Sequence, residues 1–165
     1  MKRITTFLII ALLLVGCTAS ISQSERAALE NYESYYQIAL NEQDTFSESE
    51  YYTIEASINP LDDGTFRYDV FIDQPTIAMR DVVVVIVEND TPFENQAEMM
   101  PSIGIFDDPI KLYPNQVDAE LSFYKGINLN RIITQNKVTL KVLIEFTNAN
   151  RDISYHEVIE IDLNN

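Results

Sequence analysis

Six consecutive apolar residues, Val82-Val83-Val84-Val85-Ile86-Val87, constrain this chain more than anything else in it. Every residue is β-branched, so χ1 is stiff and an extended backbone is preferred over a helix. Successive side chains of a strand point to opposite faces, so a run with no polar member must be buried on both sides or sit centrally in its sheet. The flanking segments have a period of two. Tyr52, Ile54, Ala56 and Ile58 alternate with Thr53, Glu55 and Ser57, and Phe66, Tyr68, Val70 and Ile72 with Arg67, Asp69 and Asp73. Between them Pro60-Leu61-Asp62-Asp63-Gly64 is a turn signal, so these two runs predict a hairpin with one buried face. Val138, Leu140, Val142, Ile144 and Phe146, the turn 148–152, and Ile153 to Ile161 predict a second.

Shorter strands are expected at 103–106, at 110–113 and over 119–124, where Ala119, Leu121 and Phe123 alternate with Glu120, Ser122 and Tyr124. Residues 89–116 carry four prolines and read as largely irregular. Ahead of the strands, residues 24–41 predict a helix. Ser22 and Glu25 have capping-box spacing, and Ala28, Leu29, Tyr32, Tyr35, Tyr36, Ala39 and Leu40 mark one face. Residues 42–50 read as an acidic loop. Seven or eight strands without an intervening helix predict an all-β domain over 51–165, an antiparallel β-sandwich preceded by one α-helix. In strand number and spacing it resembles immunoglobulin-like or fibronectin type III-like modules, with a jelly roll or small barrel as the alternative.

The first residues read differently. Lys2 and Arg3 precede the apolar run Phe7–Gly16, which ends at Cys17, the only cysteine. A basic start, a short apolar stretch and a small residue before the break are the parts of a secretory signal, and the run is too short for a comfortable membrane span. Leu14-Val15-Gly16-Cys17 resembles the lipobox of bacterial lipoproteins. The resemblance covers residues 1–17. It implies removal of residues 1–16, a diacylglycerol on Cys17, a lipidated linker over 17–23, and a cell-envelope location facing away from the cytoplasm. Two acyl chains at one point suffice for stable anchoring. The lipid is the only prosthetic group expected.

Without residues 1–16 the chain keeps 149 residues, one ordinary domain; losing Lys2 and Arg3 takes its net charge from −15 to −17. That balance argues against nucleic acid and against adsorption to anionic headgroups. The expected partners are the membrane, through the lipid, and another envelope protein. Candidate sites in the domain are weakly marked. His156, the sole histidine, shares a strand face with Ser154 and is near Glu160, but no nucleophile motif accompanies it, so the domain is read as non-catalytic and His156 as a surface residue. Asp62, Asp63, Asp90, Asp107 and Asp108 lie in turns and are the weak candidates for calcium, although no D-x-D-x-D-G loop is present. Tyr35, Tyr36, Tyr51, Tyr52, Tyr113 and Tyr124 offer stacking surfaces for carbohydrate or protein, with packing of the helix as the plainer explanation. The long segment 91–116 is the first place to look for a binding surface, around Phe93, Met99, Met100 and Phe106.

Overall fold

A computed structural model describes residues 22–165. Cys17 and the expected signal segment lie outside the described residues. The chain is mostly β with one helix, arranged as two open sheets with no closed barrel among the described residues. Helix α1 (Gln23–Asn41) is followed by β1 (Thr53–Pro60), β2 (Phe66–Asp73), β3 (Met79–Glu88), β4 (Ser102–Ile103), β5 (Ile110–Leu112), β6 (Phe123–Tyr124), β7 (Gly126–Ile133), β8 (Lys137–Thr147) and β9 (Ser154–Asn164). The smaller sheet has the order β1-β2-β7. The larger has the order β6-β5-β3-β8-β9, with β4 also on β3.

The valine run is divided between two cores. Val82, Val84 and Ile86 turn towards the smaller sheet and meet Tyr68, Val70, Ile72, Leu129, Leu140, Val142 and Ile144. Val83, Val85 and Val87 turn the other way, with Leu143 and Val158, and are covered by Tyr32, Tyr36 and Ala39 of α1. The result is three layers, sheet on sheet on helix, with β3 and β8 in the middle. Met79 belongs to the same core as Val82, three residues on, which strict alternation forbids. A bulge resolves this. Pairing with β8 shifts between Arg80 and Val83, and Asp81 takes φ 51°. Arg151 holds Asp81 there with paired bonds of 2.6 and 2.9 Å, and Thr147 donates a third.

Helix α1 starts as the capping box requires. Ser22 Oγ accepts from the Glu25 amide, and Glu25 Oε2 accepts from the Ser22 amide at 2.8 Å. Its last turn has no basic residue. The strand beneath supplies one: buried Lys141 of β8 donates to the Leu40 carbonyl at 3.2 Å and pairs with Asp90 at 3.0 Å. A cation at a helix C-terminus satisfies orphan carbonyls and suits the dipole.

Several expectations are corrected. The run at 119–122 is not a strand; only Phe123–Tyr124 pair, and they run parallel to β5, so the sheets are not all antiparallel. Asp118 holds the preceding turn by accepting from the Glu120 and Leu121 amides. The expected strand at 103–106 reduces to Ser102–Ile103. Conversely, β7 was not expected at all. Its inward row Ile127, Leu129, Arg131, Ile133 is broken by a cation, and Ile132 is exposed on the outward face, so the pattern is masked.

Arg151 holds the Asp81 carboxyl below the ordinary carboxylate range. A depressed native pKa adds stability that is fully present above the unfolded value of about 3.9 and is lost as pH falls through the native one. Arg151→Met should therefore lower the thermal midpoint at pH 7, with the gap from wild type closing on acidification below about pH 4.

Candidate functional site

The proline-containing segment after β3 is built onto the helix side of the larger sheet. Thr91 turns the chain by donating to the Glu88 carbonyl, and Tyr36 donates to the Thr91 carbonyl, at 2.8 Å. Phe93 lies against the Tyr32 and Tyr36 rings, with centroids 6.0 and 5.5 Å apart. Tyr32 donates to Gln96 Oε1 and accepts from the Met100 amide, both at 2.9 Å. The Pro101 carbonyl accepts from Ile86, and Ser102–Ile103 pair with Val84–Val85. At Gly104, φ is +80° and an added Cβ would collide with the Val82 carbonyl, so only glycine lets the chain pass this close to β3. Burial raises the pKa of the Tyr32 and Tyr36 hydroxyls, which keeps both as donors.

Beneath this segment lies a polar cluster. Glu88 ends β3 and is buried; Tyr68 donates to its Oε1 at 2.7 Å, and Arg131 of β7 approaches the same oxygen at 3.4 Å. Arg131 also contacts the Met100 sulfur and stands 3.9 Å from Glu98. Burial raises the Tyr68 hydroxyl pKa, followed by the adjacent Glu88 charge. The cluster ties β2, β3, β7 and the 91–106 segment together. Glu88, Arg131 and Lys141 carry no motif that marks them in the sequence.

The binding candidates therefore divide. Met100 is buried and Phe93 half-buried, both within the helix-side core. Met99 and Phe106 remain 48% and 46% exposed, Phe106 resting on Tyr32 at 5.9 Å. The acidic candidates Asp62, Asp63, Asp90, Asp107 and Asp108 are all exposed. Asp63 closes its own turn by accepting from the Thr65 amide and hydroxyl, and Asp90 pairs with Lys141. Among the described residues, no three His, Cys, Asp or Glu side chains stand together so as to hold a metal ion.

His156 does share its face with Ser154 and Glu160. Its Nδ1 lies 3.4 Å from Glu145 Oε2 on the neighbouring strand, and Tyr35 donates to the other Glu145 oxygen at 3.3 Å. Ser154 is opposite Thr147, two residues along the strand from His156, and Glu160 is opposite Lys141, four residues along it in the other direction. The tyrosines are largely structural. Tyr52 donates to Glu157 at 2.6 Å, while Tyr51 and Tyr155 pack with Phe146.

A feature without a sequence signal is a cleft of about 770 Å³ beside the start of β7, lined by Phe71, Asp73, Gln74, Pro75, Asn115, Lys125, Gly126 and Ile127. Phe71 is 45% exposed there. Gly126 is pressed against Asp73, where a Cβ would come within 2.6 Å of the Asp73 Cβ. No helix among the described residues is long and apolar enough to cross a membrane.

No protein-family model and no curated protein matches this chain. Two solved structures are similar in shape. One is an X-ray structure of a Northeast Structural Genomics Consortium target, with TM-score 0.44 and 9% identity, covering 72% of this chain and 89% of its own. The other is a Bordetella pertussis protein described as ApaA, with TM-score 0.41 and 13% identity, covering 72% of this chain and 97% of its own.

Removing Arg131 leaves Glu88 buried with only the Tyr68 hydroxyl. Breaking a buried pair from one side costs about 3 kcal/mol, so Arg131→Met should lose roughly that much in urea unfolding. The double variant Arg131→Met/Glu88→Gln should recover part of it.

Proposed function

We propose that this protein is a lipid-anchored envelope protein whose mature domain is a non-catalytic binding or accessory module for another envelope protein. The observation that carries the anchor is the sequence Leu14-Val15-Gly16-Cys17, with the only cysteine of the chain closing a short apolar run. Helix α1 begins at Gln23, six residues after Cys17. Six extended residues span at most about 20 Å, so a lipid on Cys17 keeps the domain close to the bilayer. The negative charge then keeps the domain from lying on anionic headgroups.

The non-catalytic reading is supported by the use made of the polar side chains. Glu88, Arg131, Lys141, Asp81 and Arg151 are spent on holding layers, a helix end and a bulge. We also read the fold as immunoglobulin-like, of the fibronectin type III kind. The long strands β1, β2 and β7 face β5, β3, β8 and β9 in the order in which strands A, B and E face C′, C, F and G of such modules.

Metabolic labelling tests the anchor. A radiolabelled fatty acid should enter the wild-type protein and not the Cys17→Ser variant, which should also keep its unprocessed length. Absence of label from the wild type would overturn the proposal. Pull-down from detergent-solubilised envelope should recover a specific partner protein with the wild type; recovery of none, together with turnover of a substrate by the pure domain, would overturn the module reading.

A further inference from the structure

Most polar side chains of this molecule are spent on one another; on the smaller sheet, Arg67 and Asn128 both donate to Asp69. The cleft beside the start of β7 is the exception. Asp73, Gln74, Asn115 and Lys125 line it, and among the described residues none of these four side chains has a hydrogen-bond or ion-pair partner in the protein. Alternation along β2 turns Phe71 and Asp73 to the outer face of the sheet, with Asn128 and Gly126 directly opposite them on β7. Gly126 contributes no side chain, and an added Cβ would press into Asp73. The exposed Phe71 ring therefore lies in a recess rimmed by unpaired polar groups. Two of those groups sit on costly backbone, Gln74 with φ 49° and Asn115 with φ 58°. Left-handed backbone at residues other than glycine concentrates at ligand sites.

The chemistry of the lining selects the ligand class. One carboxylate, Asp73, and one ammonium, Lys125, balance, so the recess favours neither an anion nor a cation. Gln74 and Asn115 each present both a donor and an acceptor. An apolar ligand would cover four polar groups without satisfying any of them. A free amino acid would match Asp73 and Lys125 and leave both amides without partners. A sugar meets every group. Each of its hydroxyls donates and accepts, and the C–H face of its ring covers an aromatic one. The volume of about 770 Å³ falls in the ordinary range for small-molecule sites.

We propose that this cleft is a binding site for a neutral saccharide, with one sugar ring stacked on Phe71 and its hydroxyls held by Asp73, Gln74, Asn115 and Lys125. The site goes beyond the reading of the domain as a module for a protein partner, and it needs neither that partner nor the lipid.

The probes are glucose, galactose, mannose, N-acetylglucosamine, cellobiose, maltose and chitobiose, with free leucine as the zwitterionic comparison. In saturation-transfer NMR with the full-length protein, at least one sugar should bind saturably at millimolar concentration or below, its ring C–H protons receiving the strongest transfer. The same sugar should shift the amides of residues 71–75 and 125–127 of the isotope-labelled protein. Phe71→Ala removes an exposed ring; it should weaken binding at least about fivefold while leaving the circular dichroism spectrum and thermal midpoint unchanged. Lys125→Met should also weaken it. Ile132→Ser, on the same outer face but away from the cleft, should bind as the wild type does. Absence of binding by every sugar, shifts confined to α1 or residues 91–106, undiminished binding by Phe71→Ala, or leucine occupying the cleft in place of the sugars would each overturn the inference. A lipid-labelled protein that recovers a partner yet binds no sugar keeps the tethered-module reading and loses this one.

Discussion

Everything in this molecule is arranged around a pair of strands that have no solvent face. Strands β3 and β8 are buried from both sides, Val82, Val84 and Ile86 against one sheet and Val83, Val85 and Val87 against a helix. Burying each such side chain is worth about 1.5–3 kcal/mol, and half of that return depends on the helix being in place. The helix is therefore a third layer of the domain and not a spacer ahead of it. Its attachments follow from this. Lys141 rises from β8 to hold the helix C-terminus, and Tyr32 and Tyr36 bond to the segment that leaves β3.

The long irregular segment takes its form from the same constraint. One helix is too narrow to cover the outer side of the larger sheet. Phe93, Met100 and Ile105 fill what the helix leaves open, and Gly104 allows the chain to lie against the β3 backbone. Its polar groups are matched from the helix and from Glu88 and Arg131. Among the described residues, the smaller sheet has no comparable cover. Its outer face keeps exposed Phe71 and Ile132. Even there the buried Asp69 is paired, accepting from Arg67 at 2.9 Å and Asn128 at 3.2 Å.

The sequence was informative wherever one physical rule acted alone. The capping box placed the helix start within a residue, alternation placed both hairpins, and the valine run announced its two buried faces. It was silent where a tertiary contact overrode the local pattern. Strand β7 was hidden because Arg131 occupies a core position, tolerable only with Glu88 opposite it. The run at 119–122 imitated a strand, but Asp118 bonds two following amides and closes a turn. The acidic turns were legible as turns; Asp63 closes its own loop and Asp90 pairs with Lys141. Nothing local reveals the cleft beside β7, which is made where residues 71–75 and 115–127 converge.

A variant lacking residues 22–41 tests the three-layer account most directly. Without the helix, Val83, Val85, Val87, Leu143 and Val158 would form an exposed apolar patch on the larger sheet. The account predicts self-association, binding of an apolar dye, and fast hydrogen exchange along β3 and β8. A monomeric variant with the wild-type thermal midpoint and protected β3 amides would contradict it.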